Sequence, residues 1–132
     1  AIIQSSTASV GVLQTIYKKG LISFNMATNV IYGQNIGTCI TAFLSSINGN
    51  PNAKRLSVIH VLINIIGTVV FVVASYFIPF VSFIENLTSN YSMQIAYMHT
   101  FFNLASTILF LPFDSCLIYL AYKIIPITKG EK

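Results

Sequence analysis

Residues 56–80 read LSVIHVLINIIGTVVFVVASYFIPF, an apolar run without a charge. At 1.5 Å of helical rise per residue, about 25 positions reach roughly 37 Å, enough to cross a hydrocarbon core of about 30 Å with some tilt. His60, Asn64 and a few small polar residues interrupt it, and Pro79 marks its end. Downstream, 81–93 reads as a loop holding Glu85 and Thr88-Ser89-Asn90. A second span is expected at 94–111. It stops at Leu111-Pro112-Phe113, because proline lacks an amide hydrogen and disfavours helix in the residue before it. A terminal helix at 115–125 follows. Asp114 is read as its interfacial cap in preference to an intramembrane proton carrier.

The rest of the composition agrees. The chain has 132 residues, 55% of them hydrophobic and 8% charged, with a mean hydropathy of +0.75. Soluble domains carry about 25% charged residues, and seven basic with three acidic side chains could not cover a soluble surface of this size. The net charge of +4 does not suggest nucleic acid. Its lysines and arginine fall in groups at the ends of apolar runs (Lys18 and Lys19, Lys54 and Arg55, then Lys123, Lys129 and Lys132), as membrane proteins place them. Cys39 and Cys116 have neither metal-ligand nor CxxC spacing, and both are expected to be small packing residues. Ala1 at the start of an apolar stub suggests an excerpt of a longer protein.

The first fifty residues behave differently from the spans. Apolar runs at 5–17, 21–32 and 37–47 are each too short to cross alone, and they are separated by Lys18-Lys19-Gly20 and by Gly33-Gln34-Asn35. Short hydrophobic segments broken by glycine and polar residues point to discontinuous membrane helices, tolerated only where protein buries them or a watery cavity meets them. Gln4-Ser5-Ser6-Thr7 is therefore expected to be the tip of a re-entrant hairpin whose second half ends at Tyr17. A crossing helix at 21–47 is expected to unwind at 33–38. The fold class expected is all-α integral membrane.

Two polar clusters are the candidate site. Ser and Thr cap helix N-termini, whose first N–H groups stay free and carry partial positive charge. Gln4, Ser5, Ser6 and Thr7 could thus donate to an oxyanion and offer oxygens to a hard cation. Asn35, Gly37, Thr38 and Thr41 repeat the design, and the two clusters could face each other near mid-membrane. The plainer reading is helix packing by small polar residues. His60 with Asn64, and His99 with Asn103, are pairs four apart on one helix face. They suit structural bracing, or a gating role by virtue of their depth. No nucleophile–base pair or acid dyad is visible, so no enzyme activity and no cofactor are expected.

These residues resemble the sodium/phosphate cotransporter family, the type II group and its bacterial relatives. The family's Gln-Ser-Ser-Ser appears as Gln4-Ser5-Ser6-Thr7, with threonine for the third serine. Its Gly-x-Asn-Ile-Gly-Thr-x-x-Thr appears as Gly33-Gln34-Asn35-Ile36-Gly37-Thr38-Cys39-Ile40-Thr41. His60 to Asn64, and His99 through Phe113, look like the second, C-terminal repeat of bacterial members. The likeness runs from Gln4 to Phe113. It implies one repeat of an inverted-repeat transporter (1–128) with a re-entrant hairpin and a broken helix, then a linker at 129–132 toward a cytoplasmic helical domain. The implied function is sodium-coupled transport of inorganic phosphate across the cell (plasma) membrane of a bacterium. Phosphate would lie on Gln4, Ser5, Ser6, Thr7, Asn35, Gly37 and Thr38. Sodium would lie on Gln4, Ser5, Ser6, Asn35, Thr38 and Thr41, with no other metal. The partners implied are the lipid bilayer and the missing first repeat or a second copy of the chain. Carriage or export of another small anion, and a non-transporting packing or dimerisation module, stay open as alternatives. Lys18 and Lys19 face one side and the remaining basic groups the other. The positive-inside rule makes the second side cytoplasmic and the 81–93 loop external.

Overall fold

The computed structural model describes residues 6–127. Among them the chain forms six α-helices and a 3₁₀ turn: α1 (Ser6–Lys18), α2 (Phe24–Ser46), α3 (Pro51–Phe77), α4 (Phe80–Asn86), α5 (Tyr91–Phe110), the turn Leu111–Phe113 and α6 (Asp114–Ile124). Each boundary has a local cause. α1 ends where Gly20 takes φ +70°. Gly20 N donates to Tyr17 O at 2.9 Å and Leu21 N to Ile16 O at 3.2 Å, the paired bonds of a Schellman cap, whose left-handed residue is usually glycine. Ser23, Asn50 and Asn90 cap α2, α3 and α5 by accepting from backbone N–H groups with their side-chain oxygens, which satisfies donors that have no partner within the helix. Pro51 sits in the first turn of α3, where its missing N–H costs nothing.

Four expectations are corrected. α2 is unbroken through 33–38. Asn35 Nδ2 donates to Ile31 O at 3.1 Å and Thr38 Oγ1 to Gln34 O at 2.9 Å, so the polar side chains bond back onto the helix. A glycine in a helix interior costs only about 1 kcal/mol. α3 begins at Pro51, so Lys54 and Arg55 lie within the helix and not ahead of it. The stretch expected as a loop holds α4, which buries Phe80, Val81 and Ile84. Pro112 does not end the second span. It occupies the first positions of a 3₁₀ turn, where no donor is needed, and α5, the turn and α6 form one apolar rod, Tyr91–Ile124.

The chain order sets the directions. α1 and α5 run antiparallel, with the Tyr17 ring 5.2 Å from that of Tyr91 and Val10 beside His99; Gln14 Nε2 donates to Ser92 O at 3.1 Å and Tyr17 Oη to Gln94 Oε1 at 2.6 Å. Gln94 is buried, and its Nε2 donates to Glu85 O at 2.7 Å and Thr88 O at 2.8 Å. This knot closes the end of the bundle that holds Lys18. At the other end Arg55, only 5% exposed, ties α3 to the exit of α6. Its Nε donates to Ile125 O at 2.9 Å and Nη2 to Pro126 O at 3.0 Å, while the guanidinium lies 4.3 Å over the Tyr122 ring. Between the ends, Tyr32, Phe71, Phe80, Phe101 and Phe102 form an aromatic cluster with centroids 5.0–6.0 Å apart, within the favourable range for ring pairs.

α3 and the Tyr91–Ile124 rod are long and apolar enough to cross a membrane, yet only 28% and 17% of their most apolar windows are buried. Ile65, Val69, Val73, Leu104, Ile108 and Leu111 all lie on the outside. A soluble monomer does not carry contiguous apolar surface on that scale. The chain is a membrane protein, with lipid or further protein against those faces.

Candidate functional site

Residues adjacent to the two expected polar clusters meet in the structure. Ser9 Oγ accepts from Gln34 Nε2 at 2.6 Å. Since α1 and α2 run antiparallel, this bond sets their register. Three residues back along α1 and three forward along α2, the first turn of α1 comes level with Gly37 and Thr38. The α1–α5 register gives the same height, because Val10 and His99 border one groove, which brings the start of α1 level with Asn103. α1 thus begins near the middle of the bundle, where a helix N-terminus carries partial positive charge.

Gln34 Oε1 is buried and has no hydrogen-bond partner among the described residues. It is therefore an acceptor oxygen held beside the start of α1. Neither Ser9 nor Gln34 was singled out as a site residue by sequence. The available signal was that Gln34 stands inside the glycine-bounded motif and that Ser9 follows Thr7 on the same short helix.

Of the expected site residues, Gln4 and Ser5 lie outside the described residues. Ser6 and Thr7 form the first turn of α1. Asn35, Gly37 and Thr41 are partly buried and Thr38 is exposed. Thr38 Oγ1 donates to Gln34 O at 2.9 Å and Thr41 Oγ1 to Thr38 O at 2.8 Å. With their hydrogens committed to the helix, both hydroxyls present lone pairs outward, as acceptors. An unbroken α2 offers no helix N-terminus at Thr38, so the expected second set of free N–H groups is absent there.

The two His–Asn pairs are not brought together. Gly67 of α3 faces Ser106 of α5, where an added Cβ would lie 3.2 Å from Ser106 Oγ. His60 lies two turns from that contact toward the Arg55 end and His99 two turns from it toward the Tyr91 end, about 20 Å apart in all. Within each pair the amide bonds back to the histidine carbonyl: Asn64 Nδ2 to His60 O at 2.9 Å and Asn103 Nδ2 to His99 O at 2.8 Å. Asn64 is buried against the bundle, whereas Asn103 is exposed and borders a groove of about 590 Å³ beside α1. Cys39 is buried, as a packing residue should be. Cys116 is exposed, which corrects the expectation that it packs inside this chain.

Among the described residues no three His, Cys, Asp or Glu side chains gather to hold a metal ion. The site is built from hydroxyl and amide oxygens, which suit hard cations.

Comparison with known proteins bears on the same residues. The Na+/Pi-cotransporter family profile matches residues 1–88. A Bacillus subtilis protein named "Uncharacterized protein YqeW" is 34% identical over 96% of this chain and 40% of its own length. Proteins named "Putative inorganic phosphate export protein YjbB" are 31% identical in Salmonella typhimurium and 28% in Escherichia coli K12, each over 83% of this chain and 20% of their own length. The chain thus spans less than half of the curated relatives it matches. No solved structure matches it. With the matched region running from α1 through α4 and so across both polar clusters, the chain belongs to the Na+/Pi-cotransporter family.

Proposed function

We propose that the chain is one half of a membrane transport domain that carries inorganic phosphate, with sodium as the coupling ion. The observation that supports this most is the Ser9–Gln34 bond at 2.6 Å, which seats the start of a short helix against the middle of α2. A phosphate dianion at the start of α1 would receive backbone N–H groups and the hydroxyls of Ser5, Ser6 and Thr7, with Gln4 beside them, a neutral donor set of the kind helix N-termini provide. Asn35 and Gly37 border it from α2.

The side chains of α2 divide the labour further. Thr38 and Thr41 have spent their hydrogens on the helix and Gln34 Oε1 has no donor, so these oxygens suit sodium better than phosphate. Sodium next to the anion would offset its charge. The second wall of the site would come from another repeat or a second copy of the chain. Movement of one half against the other would then expose the ions to each side in turn, without covalent chemistry.

Radiolabelled phosphate uptake into liposomes by the full-length protein tests this. A sodium gradient should drive accumulation. Equal uptake with choline in place of sodium would remove sodium from the proposal, and no phosphate movement in either direction would remove the substrate.

The names of the relatives favour a second reading of direction: the same site would release phosphate outward. Efflux from phosphate-loaded vesicles, with the sodium gradient imposed each way, separates export from uptake.

A further inference from the structure

Near the Arg55 end, the packing of α2, α3 and α6 leaves a gap. Ile40 and Phe43 of α2, Val58, Val61 and Leu62 of α3 and Ile124 of α6 line a groove of about 280 Å³. All six side chains are apolar. Val58 is buried, while Ile40, Phe43 and Ile124 are exposed, so the groove is open along one side.

The groove has a direction. Ser46 Oγ and Ser57 Oγ lie 2.8 Å apart, and the turn at 47–50 folds α3 back along α2. Phe43 and Ile40 therefore lead away from that contact beside Val58, Val61 and Leu62. Lys54 stands one turn before Val58, and Lys54, Val58 and Val61 share a face of α3 at intervals of four and three. From Lys54 to Leu62 is about 12 Å of helix, within the half that one leaflet contributes to a core of about 30 Å.

Two observations say what fills it. The lining offers no side-chain donor or acceptor, so it takes hydrocarbon and not a solvated ion. At its outer end the Lys54 ammonium has no ion pair among the described residues. Arg55 beside it is committed to Ile125 O, Pro126 O and Asn52 Oδ1. The described acidic side chains are elsewhere: Glu85 lies at the opposite end with Gln94, and Asp114 accepts from Ser115. A cation at the end of an apolar groove complements a molecule with a hydrocarbon tail and an anionic head. Lysines reach the membrane surface with an apolar stem below them, and there they attract anionic lipid.

We propose that this groove seats an acyl chain of an anionic phospholipid from the leaflet at the Arg55 end, with the lipid phosphate on Lys54. The chain fills the gap that side chains leave between α2, α3 and α6. The proposal does not depend on what the protein carries.

The test is quenching of a single tryptophan by brominated phospholipids in the full-length protein, reconstituted in vesicles. Residues 1–132 contain no tryptophan, and any elsewhere in the protein is replaced by phenylalanine. Phe43→Trp reports the groove, and Ile40→Trp serves if that variant does not fold. Val69→Trp, on the exposed side of α3, is the comparison. The vesicles mix phosphatidylcholine with phosphatidylglycerol, one of the two brominated at a time. Brominated phosphatidylglycerol should quench Phe43→Trp at about fivefold lower mole fraction than brominated phosphatidylcholine, the preference that one lysine near an anionic surface supplies. Val69→Trp should show no preference, and Lys54→Gln should remove the preference at Phe43→Trp. Equal quenching by the two lipids, or a preference that survives Lys54→Gln, overturns the proposal. No quenching of Phe43→Trp by either lipid overturns it and shows protein in the groove. A preference abolished by inorganic phosphate at constant ionic strength overturns the lipid headgroup and gives Lys54 to the free anion.

Discussion

Ser9 and Gln34 show how much of the site depends on single side chains. Their bond at 2.6 Å holds the start of α1 in register, but bonds of this kind in membranes contribute only about 0.6 kcal/mol on average. Ser9→Ala should therefore leave the fold intact and lower phosphate transport several-fold, because the N–H groups of α1 lose their aim. Thermal unfolding in detergent beside vesicle uptake measures both, and a large loss of stability with unchanged uptake would contradict the assignment. Gly67 acts in the opposite sense. A Cβ there lies 3.2 Å from Ser106 Oγ and 3.5 Å from the Phe110 ring, so Gly67→Leu should push α3 from α5 and destabilise by about 1–3 kcal/mol, as overpacking does. Adding Ser106→Gly should recover part of that loss, which a double-mutant cycle reads directly.

Among the elements, the junction of α3 with α6 rests on Arg55. Its guanidinium serves two carbonyls, the Asn52 side chain and a tyrosine face at once. Arg55→Lys keeps the charge but loses the planar fork. It should cost about 1.5–3 kcal/mol, the worth of hydrogen bonds to charged groups, and should loosen the chain after α6, seen as faster amide exchange at Ile125. The turn at Leu111–Phe113 predicts the reverse. Pro112 already stands where no N–H is required. Pro112→Ala should shift the unfolding midpoint little, and a large destabilisation would show that the turn needs the ring.

Over the whole molecule, charge and connectivity agree about its two ends. Lys18, Glu85 and Ser92 gather at one, while Arg55, Ile125 and Pro126 meet at the other. The more basic end should lie in the cytoplasm. Ser89→Cys, in the turn between α4 and α5, should then react with an impermeant thiol reagent in intact cells, and Lys123→Cys should react only after permeabilisation. The opposite pattern would invert the orientation.

The membrane-spanning character of 56–80 and the two polar clusters could be read from residue order alone, because hydropathy over a span length is a local property; the cap expected at Asp114 was not found, since α6 begins at Asp114 itself with no side-chain cap. The continuity of α2 could not be read that way. Glycine and asparagine at 33–38 permit a break but do not compel one, and the choice fell to back-bonds from Asn35 and Thr38. The same holds for Pro112, whose effect depends on which turn it enters. The contact between the two candidate segments was not legible. The motifs mark α1 and α2 as candidate segments, but the partner of α1 in α2 is Gln34, 25 residues away from Ser9, and only antiparallel packing could select it. The separation of His60 from His99, which are spaced alike in sequence, was likewise decided by the Gly67–Ser106 contact. Local order determined what each segment could be, and long-range packing decided which polar groups meet.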